Sequence, residues 1–274
     1  MSDKSDVLYK VHDNVAEITI NRPRYRNAQS RVLLERLDKC FQRASKDRDV
    51  RVIALFGAGE HFSSGHDLGT ADEIRDRENR PPQEGVRGRF DHSYDNYVEK
   101  TLRWRNLPKP TIVGVQGYCI FGGWIIASAM DIIYAGESAL FLGSNFQYFS
   151  IPWDVSVRRA KELLFEGRFI NAEEACELGL VNKVLPDTDL RKGVLDYASR
   201  VVENDPFQLR MTKMAVNHVQ DSQGFQAHIE ASHVMHILSA TGEQDPEFSL
   251  KTPERKRRPM VERAIENSKK GKSE

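Results

Sequence analysis

The 274-residue sequence has no excess of either charge, since 40 Lys and Arg stand against 40 Asp and Glu. A dedicated nucleic-acid binder normally shows a clear basic surplus, so that class is set aside. Cysteine is scarce: Cys40, Cys119 and Cys176 lie far apart and form no CxxC pair. In apolar surroundings they read as buried free thiols, neither a disulfide framework nor a zinc site. No apolar run approaches the roughly 20 residues that cross a bilayer, and MSDKSDVLYKVHDN lacks the charged-then-apolar order of a signal peptide. The expectation is a cytoplasmic protein with no membrane and no nucleic-acid partner. What is present, 39% hydrophobic residues with 18 Gly and 11 Pro, is an ordinary globular composition long enough to bury a core.

Periodicity divides the chain. VAEITIN alternates as a half-buried strand that stops at Asn21-Arg22-Pro23, and VLYKVHD before it completes a hairpin. From Ser30 the spacing becomes helical, with Val32, Leu33, Leu37, Cys40, Phe41 and Ala44 on one face. VIALFGAG reads as a buried strand ending in glycines. The charged stretch TADEIRDRENRPPQEGVRGRF, broken by Pro81-Pro82, predicts a mobile surface loop with short helical pieces. Residues 111–117 read as a strand, 121–130 as an apolar helix led by glycines and 131–135 as another strand. This alternation indicates an α/β fold. Asn171-Ala172-Glu173-Glu174 fits a capping box, its helix stopping at Gly179 before VNKV. Beyond Asp187 only helices are expected, at 189–204, 207–220, 224–240 and 259–268. The division is a core over residues 1–190 and a C-terminal helical region with a basic tail over 191–274.

Two places end a strand in glycines and begin a new segment: Ser63-Ser64-Gly65-His66-Asp67 and Gly117 through Gly123. The first turn of a helix carries N–H groups without intrahelical partners, and glycine allows close approach to them. Two such groups aimed at one point make an oxyanion hole. The plainer reading of each is a tight turn.

Several motifs in order make the pattern specific: residues 14–21 with Arg22-Pro23 and Asn27-Ala28, FSSGHDL, KPTIVGVQGYCIFGG, SAMDIIYAGESALF, and GRFINAEEACELGLVNKVLP. From about residue 7 to residue 215 the chain resembles the enoyl-CoA hydratase/isomerase family, the crotonase superfamily. The resemblance implies a spiral of ββα units with a C-terminal helical trimerisation region, a homotrimer or dimer of trimers, and acyl-CoA thioesters as substrates. It implies no separate cofactor, coenzyme A being part of the substrate. It also implies that the thioester carbonyl is held by the backbone N–H groups of His66 and Gly122, with Ser64, Gly65, Asp67, Leu68, Gly123, Asn145 and Trp153 around the substrate.

The departures from the family matter as much. Family hydratases use two glutamates, and the positions in register here are Ile125 and Asn145. An alkyl group carries no proton to exchange and a carboxamide does not titrate, so ordinary two-glutamate hydration is not expected. The segment from Ile151 to Gly167 is also shorter than in typical hydratases, so the pocket wall is expected to be reshaped. Asp154, in IPWD, lies within one residue of the spacing of the aspartate nucleophile in the 4-chlorobenzoyl-CoA dehalogenases of the superfamily. Packed by Trp153 and Phe149, its charged form would be desolvated, which suits a base or nucleophile. The competing reading is an N-cap for a helix over 155–165.

Other candidates are weighed in the same way. The His66 side chain contacts the CoA moiety or acts in catalysis, although its motif role needs only the backbone. Asp67 ties down its own loop. His233 and His236 stand three apart on a helix, a metal spacing that no third ligand completes, so packing or exposure is expected. Phe146, Tyr148, Phe149 and Trp153 line an acyl pocket for a bulky group or fill the core. Arg24 and Arg26 are candidates for the CoA phosphates. Arg255-Lys256-Arg257-Arg258 is a second basic source or a solvated run. Residues 251–274 hold nine Lys and Arg against four Glu, so the neutral total conceals a basic end. The function expected is an enzyme of acyl-CoA metabolism that stabilises a thioester enolate or oxyanion, with Asp154 as candidate base or nucleophile for a hydrolysis, C–C cleavage or isomerisation; the alternative is a non-catalytic acyl-CoA binder.

Overall fold

A computed structural model describes residues 5–144, 147–242 and 259–270. The chain opens with a hairpin of β1 (Val7–His12) and β2 (Val15–Ile20). Asp13 and Asn14 turn it with φ of 48° and 62°, the paired left-handed conformation that matches strand twist. After a 3-10 turn at Pro23–Tyr25 comes α1 (Arg31–Lys46), whose N-cap Ser30 accepts from the Leu33 amide. Leu33, Leu34, Leu37 and Phe41 are buried along it, and at roughly 1.5–3 kcal/mol each their burial outweighs any propensity effect.

β3 (Val52–Gly57) leads to α2 (Ala71–Asn79) and α3 (Gly85–Ser93), which take up most of the charged stretch expected as a loop with short helical pieces, with Pro81-Pro82 between them. A π-helical stretch, Tyr94–Glu99, joins α3 to α4 (Lys100–Arg105). Then follow β4 (Thr111–Val115), β5 (Tyr118–Ile120), α5 (Gly122–Ser128), β6 (Ile132–Gly136) and β7 (Leu140–Leu142). The strand expected over 111–117 is β4, which stops before Gly117 with its φ of +54°, and β5, β7 and β8, the strands of the second sheet, were not anticipated. The chain continues with α6 (Ile151–Asp154), α7 (Val157–Glu166), β8 (Ile170–Asn171), α8 (Ala172–Glu177) and β9 (Lys183–Leu185). Asn171 caps α8 through the Glu174 amide as expected, while the Glu174 carboxylate turns to Arg168. The chain then runs through α9 (Asp187–Val202), α10 (Pro206–Ser222), α11 (Phe225–Thr241) and α12 (Pro259–Lys270).

Six strands form one sheet in the order β1-β2-β3-β4-β6-β9, parallel from β2 onward, and β5-β7-β8 form a second. Successive strands β4, β5 and then β6, β7 alternate between the two sheets, so each ββα turn adds a strand to both. VIALF and TIVGV are buried on both faces, as continuous apolar runs in parallel sheets require. Ile53, Leu55 and Val113 face α1 and the second sheet, whereas Val52, Ala54 and Ile112 face Leu190, Val194 and Ala198 of α9. Among the described residues no helix is long and apolar enough to cross a membrane. The thiols are free, but only Cys119 is fully buried; Cys40 and Cys176 are half-buried at the margin of the core, which corrects the expectation for those two.

Candidate active site

Residues Ser63 to Asp67 are pinned on both sides by backbone hydrogen bonds. Ser63 N donates to Tyr118 O and Ile120 N to Ser63 O, while Gln29 N donates to Gly65 O and Asp67 N to Gln29 O. The segment therefore lies against β5 and the start of α5. Gly65 has φ of +85°, and a Cβ there would stand 2.8 Å from Ile120 O and 3.3 Å from Gly122 N. Across the gap, a Cβ on Gly122 would overlap Gln29 Oε1 and come within 2.7 Å of His66 Nδ1. The two glycine motifs, far apart in sequence, thus meet at His66 and Gly122.

The chain reaches Gly122 through a strained turn. Phe121 has φ of 51° and ψ of −104°, a backbone conformation costing of order 1–3 kcal/mol, held by the bond from Phe121 N to Leu142 O. It places the Gly122 amide as the first of α5, where no intrahelical acceptor exists. Gly123 packs on Ser63, where its own Cβ would lie 2.8 Å from Ser63 O. The His66 ring is tilted on Tyr97 with centroids 4.1 Å apart, and its Nε2 lies 3.1 Å from Gln147 Oε1. Ser64 donates its amide to Arg26 O, and Leu68 stands exposed.

Asp67 anchors this loop. Its Oδ1 accepts from the amides of Gly69 and Thr70, and its Oδ2 from the Thr70 hydroxyl and Arg22 Nη1 at 2.9 Å. Burial by itself would raise the carboxyl, but the bonds from Thr70, Gly69 and Arg22 outweigh it and hold it below the ordinary value. The side chain is fully buried, so the tie-down reading is what its geometry supports. Arg24 is exposed and pairs with Asp72 of α2 at 2.7 Å. Arg26, also exposed, follows the 3-10 turn with φ of 51°.

Asp154 differs from both sequence readings of its surroundings. It ends α6, and the N-cap of α7 is Ser156, whose side chain accepts from the Arg159 amide, so the capping reading of Asp154 is corrected. Nor do Trp153 and Phe149 hold the carboxylate. Asp154 Oδ2 accepts from the Trp124 indole N–H and from the Ser150 hydroxyl, each at 2.8 Å. Ser150 Oγ also lies 2.8 Å from Ser128 Oγ at the end of α5. Burial raises the carboxyl to about 6 against the pull of these two donors. A carboxyl there exchanges protons near neutral pH, the property a general base needs.

Trp153 turns the other way and donates to His228 Nδ1 of α11 at 2.9 Å. Ile125 is buried in an apolar cluster with Val98, Tyr148, Phe225 and Ile229, bordered by Tyr94, Leu102 and Trp153. Phe149 lies beside His228, with centroids 5.8 Å apart. Asn145, Phe146 and Arg255-Lys256-Arg257-Arg258 lie outside the described residues. His233 is fully buried, bonded to Ser93 and packed on Phe90 and Tyr94, and among the described residues no three His, Cys, Asp or Glu side chains cluster as a metal site. A cleft of about 640 Å³ at the carboxyl ends of β3 and β4 is lined by none of His66, Gly122 and Asp154.

Sequence reasoning missed Trp124, Ser150, Gln147 and Tyr97. Trp124 had a signal, two residues past Gly122 on an otherwise small and aliphatic helix. Tyr97 had none, because a π-helical stretch leaves no distinct periodicity. Such stretches are rare and frequent at functional sites, and this one sets Tyr97 against His66.

Residues 10–251 match the family model for enoyl-CoA hydratase/isomerase. EchA13 of Mycobacterium tuberculosis is 37% identical over 254 residues, covering 85% of this chain and 80% of that protein. EchA19 of the same organism, named an enoyl-CoA hydratase, is 33% identical over 215 residues, covering 75% and 77%. A crystal structure of a probable enoyl-CoA hydratase from Mycobacterium smegmatis superposes with a TM-score of 0.79 at 39% identity, covering 85% of this chain and 93% of the other. The two-sheet ββα spiral with C-terminal helices is thus the crotonase fold, and the chain belongs to the enoyl-CoA hydratase/isomerase family.

Proposed function

We propose that the protein is an enzyme acting on acyl-CoA thioesters, with the thioester carbonyl oxygen received by the backbone N–H groups of His66 and Gly122 and Asp154 as base or nucleophile. The observation that carries this reading is the meeting of His66 with Gly122 behind the strained Phe121 turn. Strain of that kind persists where the surrounding structure holds it for use. Negative charge developing on the carbonyl oxygen, as an enolate or a tetrahedral adduct forms, is stabilised by donors fixed in advance.

The rest of the chemistry follows from which groups carry protons. Ile125 has none to exchange and Asn145 does not titrate, so water addition by a pair of glutamates is not the reaction proposed. Asp154, with its carboxyl near 6 and Oδ2 held by Trp124 and Ser150, leaves Oδ1 to take a proton or attack an acyl carbon. Hydrolysis, C–C cleavage and isomerisation of an acyl-CoA all fit one carboxylate beside an oxyanion hole. Arg24 and Arg26 border the site as partners for the CoA phosphates, Arg24 by exchanging Asp72 for phosphate. Replacing both with alanine should weaken CoA binding, and unchanged affinity would remove them from this role.

Assembly as a trimer or dimer of trimers is part of the same proposal. It is supported by the exposed apolar side chains Phe207, Met214, Val216 and Val219 on α10 and Val234, Met235 and Leu238 on α11. Sedimentation would test it, with a monomer at micromolar concentration counting against it.

One observation favours a second reading, a non-catalytic acyl-CoA binder: Ile125 is sealed in an apolar cluster. Incubating the protein with enoyl-, aroyl- and β-keto-acyl-CoAs while measuring binding separately distinguishes the two. Product from any member supports the enzyme. Tight binding with no product throughout supports the binder.

A further inference from the structure

The helix that ends in Asp154 is a single turn. Its backbone is closed by Asp154 N donating to Ser150 O and Val155 N donating to Ile151 O. One turn fixes several backbone angles in return for very few hydrogen bonds, so α6 does not hold itself in place. Side chains tie it on two sides instead. Asp154 reaches α5 through the Trp124 indole, and Trp153, one residue earlier, reaches α11 through its own indole, which donates to His228 Nδ1 at 2.9 Å.

The tie to α11 has a defined protonation state. An indole N–H donates and never accepts, so His228 Nδ1 must present its lone pair and the ring proton sits on Nε2. Nε2 lies 3.3 Å from Ser232 Oγ, one turn further along α11, which accepts it. A second proton, on Nδ1, would set two donors against each other. Burial alone lowers the imidazole from its ordinary value, in agreement with both bonds. Of the titratable groups on the surrounding elements, the Tyr148 phenol has no hydrogen-bond partner among the described residues and is held protonated by burial and then by Asp154. Arg105 of α4 pairs with Asp221 and lies over Phe225, and Glu230 of α11 takes a bond from Gln226.

We infer that His228 is a positioning residue for Asp154: by accepting the Trp153 indole proton, its neutral imidazole holds α6 so that the carboxylate stays buried against Trp124. The inference rests on the reading of Asp154 as the base and adds to it a residue from the C-terminal helices. Burial is the larger influence on the Asp154 carboxyl, and the Trp124 and Ser150 donors oppose it. The depth at which α6 sits therefore sets how readily the carboxyl takes a proton.

The test is a titration of tryptophan fluorescence between about pH 4 and pH 8 for the wild type, Asp154→Asn, His228→Phe and His228→Asn. Thermal denaturation of each, and product formation from enoyl-, aroyl- and β-keto-acyl-CoAs, accompany it. Trp124 reports the carboxyl, whose step is the one that Asp154→Asn abolishes. His228→Phe keeps a ring and loses the acceptor, whereas His228→Asn loses the ring and puts Oδ1 where Nδ1 stood. Neither replacement titrates, so the imidazole's own signal is gone from both. His228→Phe should move the Asp154 step down by about half a pH unit or more as water reaches a loosened α6, and slow any product formation about tenfold with KM nearly unchanged. His228→Asn should keep the step within about 0.2 pH units of the wild type and the rate within about threefold. A step that does not move in His228→Phe overturns the inference, and a lower Tm beside it marks the bond as structural. Equal displacement in both variants overturns it too, because the ring's packing and not its acceptor would be at work. A wild type with no step that Asp154→Asn abolishes defeats the Asp154 reading itself and this inference with it, an outcome distinct from a step that ignores His228.

Discussion

The indole N–H of Trp124 donates to Asp154 Oδ2 over 2.8 Å, joining α5, which begins at the Gly122 amide, to the carboxylate at the end of α6. Two residues 30 apart in sequence are thereby fixed to the same helix end, and a base must be placed against the oxyanion donors for both to act on one acyl group.

If Asp154 is the base, only its ionised form works. The rate should then rise about tenfold per pH unit below about 6 and level off above it. Asp154→Asn keeps an acceptor for Trp124 and Ser150, so the fold should persist while turnover falls by at least about 10²-fold. A pH–rate profile with no limb near 6, or an unchanged rate in the variant, removes Asp154 from the mechanism.

The same substitution carries a stability signature. A carboxyl moved from 3.8 to about 6 corresponds to about 3 kcal/mol between its two protonation states. Because the folded value is raised, the stabilising contribution is complete below the unfolded value and is lost as pH rises through about 6. Asp154→Asn should therefore be more stable than the wild type at pH 7.5, by up to about 3 kcal/mol, with the gain shrinking toward pH 4. Denaturant melts at the two pH values measure it, and an equal difference at both would show that the carboxyl is not strained by burial.

Trp124→Phe removes a donor that favours the charged carboxylate. The acid limb of the rate profile should move up by on the order of one pH unit, with kcat at pH 6 falling more than KM changes. Trp124 also packs edge-on against Phe141, so some loss of Tm is expected from packing alone. A lower Tm with an unmoved limb would make Trp124 a packing residue only.

Asp67→Asn should destabilise the protein by about 3 kcal/mol or more, because it leaves the Arg22 guanidinium buried beside a neutral group. In the wild type the folded carboxyl is depressed, so its contribution is present above the unfolded value and lost as pH falls through the folded one. Equilibrium unfolding at pH 7 checks the magnitude. A change under about 0.5 kcal/mol would mean that Asp6 and Asp72, at 3.9 and 3.6 Å from Arg22, compensate fully.

Much of this protein was decided locally. The doubly buried strands, the amphipathic α1 with its Ser30 cap, the Asn171 cap of α8 and the run of helices after Asp187 follow from side-chain spacing and capping chemistry, which act within a turn or a strand. The two glycine motifs were legible for the same reason, since Gly65 is needed for its own backbone and for the close approach of Ile120. Tertiary structure alone decided which side chains face each other. Trp153, the obvious neighbour of Asp154, turns to His228, and Trp124 from another element takes its place. Short helical steps at α6 and the π-helical turn at Tyr94–Glu99 rotate neighbouring side chains away from where an ideal period would put them. The raised Asp154 carboxyl and the orphaned Tyr148 hydroxyl have the same origin: desolvation is a property of everything packed around an atom, and no local stretch of sequence specifies it.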